Sequence, residues 1–95
     1  MVYMEGEVVY RDSRKVGYLE GTVFYDENGR KLGWYDKQSD EVFWADSDKA
    51  GYIDNGYIYY SSGKEFDSAD YIYDKVGGYS ALCAAAAALL FGEDG

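Results

Sequence analysis

Apolar and polar residues alternate in short runs along most of this chain, and each run ends in Gly, Asn, Asp or Ser. Tyr, Val, Phe, Ile and Trp dominate the runs, and such side chains suit a pleated, half-buried surface. The spacing predicts strands near 7–10, 15–19, 22–25, 30–35, 41–45, 49–53, 57–60, 64–66 and 71–73. Asp26-Glu27-Asn28-Gly29 suits a type I turn followed by a glycine at positive φ, and Ser61-Ser62-Gly63 is similar. Asn55-Gly56, between Tyr52-Ile53 and Tyr57-Ile58, signals a two-residue hairpin turn. Turn signals this close together leave no room for the crossovers of about a dozen residues that parallel pairing requires. The expectation is therefore an antiparallel meander.

Val8, Tyr10, Val16, Tyr18, Val23, Tyr25, Leu32 and Trp34 fall on alternating positions and are assigned to one face. Phe24, Phe43 and Ile58 fall on the other. With apolar groups on both faces, such a sheet is expected to curl, pack on itself or pair with another chain.

Four stretches share one outline: Val9–Tyr18, Phe24–Trp34, Phe43–Tyr52 and Tyr59–Asp67, with Ile72-Tyr73-Asp74 opening a fifth. Each runs hydrophobe, aromatic, polar turn, base, a small or apolar residue, then usually Gly and an aromatic. With Tyr10, Tyr25, Trp44, Tyr60 and Tyr73 as the key aromatics, the separations are 15, 19, 16 and 13 residues. The closing glycine comes seven residues after the aromatic in the first and third copies and eight after it in the second. In the fourth, Asp67 replaces it.

The tail differs. Ser80 can cap a helix, and Ala81-Leu82-Cys83-Ala84-Ala85-Ala86-Ala87-Ala88-Leu89-Leu90-Phe91 is strongly helix-forming, with Gly92 as its stop. A helix apolar on every side must be covered. Leu82, Ala86, Leu89 and Leu90 are the candidate packing residues, against either the chain's own sheet or a neighbouring chain. Glu93 and Asp94 sit at the end where the helix dipole disfavours acids. The run is well short of the ~20 residues needed to span a bilayer. The whole reads as one domain, 1–95, with hairpin repeats over 6–76 and the helix over 80–91. Its fold class is mainly β: an antiparallel meander of short hairpin repeats with one C-terminal Ala-rich helix.

Composition narrows the function. Eighteen acids against nine bases give a net charge of -9, which disfavours nucleic acid and anionic membranes and leaves room for a basic partner or a cation. Aromatics make up 19% of the chain, against the composition of disordered segments. The chain has no His, so a Ser or Cys nucleophile would lack its usual base. Cys83, alone and flanked by Leu82 and Ala84, reads as a small buried hydrophobe. A lone cysteine and no basic-then-apolar start suit the cytoplasm, or the cell surface if a leader has been trimmed. Asp46-Ser47-Asp48 and Asp36 to Asp40 offer oxygen ligands, but Asp and Asn are also favoured in turns, and no metal or cofactor is expected.

Gly21-Thr-Val-Phe-Tyr-Asp-Glu-Asn-Gly-Arg-Lys-Leu-Gly-Trp34 resembles a hairpin repeat of uncharacterised bacterial proteins, G-x-V-Y-D-x-x-G-x-x-I-G-x-V, whose chains often end in a small-residue, Leu-rich tail. The likeness covers roughly residues 6–91. The first copy lacks the turn Gly, the third has Trp44-Ala45 for Tyr-Asp, and the fourth lacks the final Gly. This resemblance implies architecture and no activity. Gly51–Gly63 looks like the cell-wall choline-binding repeat, which clamps choline or glycan between aromatics of successive hairpins. Phe24–Gly29 is similar to the MORN-type hairpin, and the Val-Tyr-Asp-x-x-Gly-x-x-Leu-Gly outline is similar to the PRC-barrel.

No enzymatic activity is expected. Paired carboxylates suit glycosidase chemistry, but here most acids sit in turns. The expectation is a structural or protein-interaction module that binds itself or another protein through sheet edges or the apolar tail. The alternative is a cell-surface glycan- or choline-type binder using Trp34, Trp44, Tyr52, Tyr57, Tyr59 and Tyr60. Cross-strand packing is the competing use of those rings.

Overall fold

The structure, a computed structural model, describes residues 2–66 and 81–92. The strand expected at 71–73, the fifth copy and Ser80 lie outside the described residues. Within them, eight strands run in sequence order: β1 (Val2–Glu5), β2 (Val8–Arg11), β3 (Arg14–Glu20), β4 (Val23–Asp26), β5 (Lys31–Asp36), β6 (Glu41–Trp44), β7 (Lys49–Asp54) and β8 (Tyr57–Tyr60). Each pairs antiparallel with the next, and the sheet curls into a half-barrel. The helix α1 (Ala81–Phe91) lies against its inner face.

The three turns singled out in the sequence are found. Asn55 and Gly56 have φ of 55° and 83° between the paired residues Asp54 and Tyr57, a two-residue loop. Gly29 has φ of 85° and donates its N–H to the Asp26 carbonyl at 3.0 Å, and Gly63 does the same to Tyr60 at 2.8 Å. β1 was not among the expected strands. Its partner β2 meets it across the two-residue turn Gly6-Glu7, with Tyr3 opposite Tyr10. The strand expected at 64–66 is reduced to a single bridge between Tyr59 and Glu65.

The turn hydrogen bonds also correct the repeat register. Trp44 accepts from Ser47 and Tyr60 accepts from Gly63, as Asp26 accepts from Gly29. Trp44 and Tyr60 thus hold the place of Asp26, at the strand end that opens the turn, and the equivalents of Tyr25 are Phe43 and Tyr59. Reframed, eight residues separate Tyr25 from Gly33 and Phe43 from Gly51. The first copy is one shorter because its turn has two residues, Asp12 and Ser13, both at positive φ.

A β-bulge interrupts the ladder in each of β3, β5 and β7. Val16-Gly17 together face Val9, Leu32-Gly33 face Phe24, and Ala50-Gly51 face Val42. The extra residue suspends the alternation of faces. This is why Val16 and Leu32 pack against the core rather than sharing the face of Tyr18 and Trp34. Phe43 is corrected the other way: Val42 is fully buried inside, and Phe43 stacks outside on Trp34.

The inner face presents Val9, Phe24, Val42 and Ile58, all fully buried. Into this concave face fits the helix, with Leu82 to Phe91 buried throughout. The sequence left open whether α1 would cover its own sheet or a neighbour; it covers its own. The three bulge glycines set the fit. A Cβ on Gly17 would come within 2.6 Å of the Phe91 ring, on Gly33 within 2.8 Å of Leu90, and on Gly51 within 2.7 Å of Leu89. Each would also strike a carbonyl oxygen across the ladder, of Tyr25, Phe43 or Tyr59. Successive helical residues point about 100° apart, so Leu89, Leu90 and Phe91 sweep roughly 200° and meet β7, β5 and β3 in turn. A sheet that touches all three must wrap around the helix.

Candidate functional site: the aromatic outer face

With inward positions taken by the core, the outer residues of each strand pair meet directly across the ladder. Tyr3 faces Tyr10, Tyr18 faces Tyr25, Trp34 faces Phe43 and Tyr52 faces Tyr59. All four pairs stack, with ring centroids at 5.3, 5.2, 5.3 and 5.2 Å and planes within 22° of parallel. Strands lie about 4.8 Å apart, so the stacks recur across the convex face at roughly 10 Å. Such pairs each stabilise a sheet by about 0.2–1 kcal/mol.

Bases and acids interleave with the stacks. Lys31 Nζ lies 4.7 Å from the centre of the Trp34 ring, and Lys49 Nζ lies 4.9 Å from that of Tyr52. Lys49 also pairs with Glu41 Oε2 at 2.8 Å. That bond, with a second from Ser39, holds the Glu41 carboxyl below its ordinary range. Desolvation raises the Tyr59 hydroxyl, and the charges of Glu65 and Asp54 raise it further.

The six aromatics singled out from sequence do not converge. Trp34, Tyr52 and Tyr59 spend one ring face on a stacking partner, and lysines lie over Trp34 and Tyr52. Tyr60 turns toward the core and packs on Phe66 at 5.4 Å. Trp44, 36% exposed, ends β6, whereas Tyr57, 46% exposed, begins β8. Because β6 and β8 run the same way, these two rings sit on opposite rims.

The sequence places Tyr10, Tyr18 and Tyr25 on one face with Trp34, as found, but does not single them out as site residues; Tyr3 and Phe43 it misses as members of this face. A signal was present. In three hairpins the stacked residues are seven apart and centred on a two-residue turn: Tyr3 and Tyr10, Tyr18 and Tyr25, Tyr52 and Tyr59.

The other candidate groups are structural. Asp36 Oδ1 accepts the Gln38 N–H and Asp46 Oδ1 accepts the Asp48 N–H, at 2.9 and 3.0 Å, so both carboxylates close turns. Among the described residues, no group of His, Cys, Asp and Glu is gathered for a metal ion, and no helix is long and apolar enough to cross a membrane. Cys83 is buried; burial pushes its thiol up, against a hydrogen bond with Tyr35. Leu82, Ala86, Leu89 and Leu90 all belong to the internal core. No protein-family model, curated protein or solved structure matches the chain.

Proposed function

We propose that the chain is a non-enzymatic structural and interaction module that self-associates through one edge of its sheet. The observation that carries this reading is the asymmetry of the two edges. β1 is held firmly, with Val2 and Met4 buried against the core, and among the described residues it pairs only with β2. Its run Val2-Tyr3-Met4 has no Lys, no Pro and no bulge, the usual guards against edge pairing. The far edge is blunted: beyond β8, Phe66 donates its N–H to the Ile58 carbonyl at 2.7 Å. The helix is buried within its own chain, so this reading places the second copy at the sheet edge and not on the tail.

The charge of -9 makes copies repel, so screening should favour assembly. Light scattering of the full chain over a range of protein and salt concentrations tests this. The expected result is a molecular weight that rises with protein and with salt. Tyr3→Lys, which puts a charge on the outer surface of β1, should hold the chain monomeric with its circular dichroism retained. A wild-type chain that stays monomeric at every soluble concentration overturns the reading.

A further inference from the structure

In each of the four hairpin copies a charged residue stands opposite one outer aromatic, and its sign changes at the last copy. Lys15 faces Tyr10, Lys31 faces Tyr25 and Lys49 faces Phe43. In the fourth, Glu65 faces Tyr59. In the second and third copies the ammonium reaches over the next outer ring, Trp34 or Tyr52, at 4.7 and 4.9 Å. A cation over an outer aromatic is therefore an arrangement this sheet already makes with its own lysines.

The last hairpin has the rings and the opposite charge. Tyr57 and Tyr59 project outward on either side of the buried Ile58, and Tyr57 is 46% exposed. Asp54 is exposed and stands directly opposite Tyr57; Glu65, also exposed, stands opposite Tyr59. Both carboxylates act on the Tyr59 hydroxyl, raising it beyond what desolvation does, so their field falls on this patch. We propose that the outer face of the last hairpin, formed by Tyr57, Tyr59, Asp54 and Glu65, docks a basic peptide segment of a partner protein. An ammonium or guanidinium of that segment lies over these tyrosines in the manner of Lys31 over Trp34 and Lys49 over Tyr52. The two acids neutralise it, and the chain's charge of -9 draws it in. This holds whether or not β1 pairs with another copy.

The test uses the full-length, isotopically labelled chain. Oligo-lysine and oligo-arginine peptides are titrated at fixed salt and followed by amide shifts, with oligo-glutamate as control. Binding should shift the amides of Asp54 to Tyr59 and of Glu65, with no response to oligo-glutamate. Glu65→Lys restores the residue type of the first three copies and should weaken binding by about tenfold or more. Glu27→Lys makes the same charge change at an exposed site in the turn after β4 and should leave affinity nearly unaltered. Tyr57→Ala, at an exposed ring, should weaken it too. Equal losses from Glu65→Lys and Glu27→Lys would reduce the effect to diffuse charge and overturn the proposal, as would no response to either basic peptide. Shifts at the same residues that grow with protein concentration alone, and vanish in Glu65→Lys, would make the occupant a second copy and overturn it as well.

Discussion

Ser47 shows how much a single backbone angle matters here. Its N–H bonds to the Trp44 carbonyl at 2.8 Å, in the same loop that Gly29 and Gly63 close in the neighbouring copies. Those two are glycines at φ of 85° and 96°, whereas Ser47 holds 78° with a Cβ. The left-handed region costs a residue with a side chain roughly 1–2 kcal/mol, offset in part by the larger unfolded-state entropy of glycine. Ser47→Gly is therefore expected to stabilise the chain by about 0.5–1 kcal/mol, seen as a melting temperature raised by a few degrees. An unchanged or lowered melting temperature would mean that the turn carries no strain. The turn glycines and asparagines were legible in the sequence because their demand is local. Gly29, Asn55, Gly56 and Gly63 advertise their positive φ by residue type, whereas Ser13 and Ser47 do not. The bulge glycines Gly17, Gly33 and Gly51 were legible only as a recurring letter. Their reason is the approach of Phe91, Leu90 and Leu89 from a distant segment, which no local rule can supply.

The helix α1 was legible in extent, expected over 80–91 and found from Ala81 to Phe91, but its partner was not. Uniform apolarity says that every side is covered without saying by what. Facing was harder for the strands. Each bulge inserts one residue, and strict alternation then puts that residue on the wrong side, as with Val16 and Leu32, while Tyr18 and Trp34 beyond it stay correct; Phe43 is misplaced by a register one residue off. The helix end holds a further compensation. α1 has no base in its last turn, yet its C-terminal carbonyls carry partial negative charge. Arg11, at the end of β2, supplies the missing cation: its Nη1 donates to the Phe91 carbonyl at 3.1 Å. A partly buried, charge-assisted bond of this kind should contribute about 1–2 kcal/mol. Arg11→Met keeps much of the aliphatic stem and removes the donor. It should lower the urea midpoint accordingly, without altering the dependence of stability on denaturant, because the surface exposed on unfolding barely changes. A midpoint equal to that of the wild type would show that water serves Phe91 as well as Arg11 does.

Sheet and helix have no separate interiors. The inner residues Val9, Phe24, Val42 and Ile58 and the helical Leu82, Leu89, Leu90 and Phe91 form one cluster, and the curl of the sheet exists to reach around α1. The outer face cannot replace that core, since its stacks contribute only a fraction of a kcal/mol to about 1 kcal/mol each. Burying a large apolar side chain stabilises by about 1.5–3 kcal/mol. Removing the three leucines and Phe91 of the helix alone therefore forfeits roughly 6–12 kcal/mol, before the newly exposed inner face is counted. Whole domains of this kind are stable by only about 5–15 kcal/mol. A chain ending at Gly78 is accordingly expected to lose its fold as a monomer, with collapsed amide dispersion, no cooperative melt and strong binding of a hydrophobic dye. In the full chain, the far-ultraviolet signal of the helix and the near-ultraviolet signal of the stacked tyrosines should disappear together, in one transition. A truncated chain with dispersed amides and a sharp melt near that of the full chain would show that the curled sheet stands without its plug, and that the glycine sockets accommodate the helix rather than depend on it.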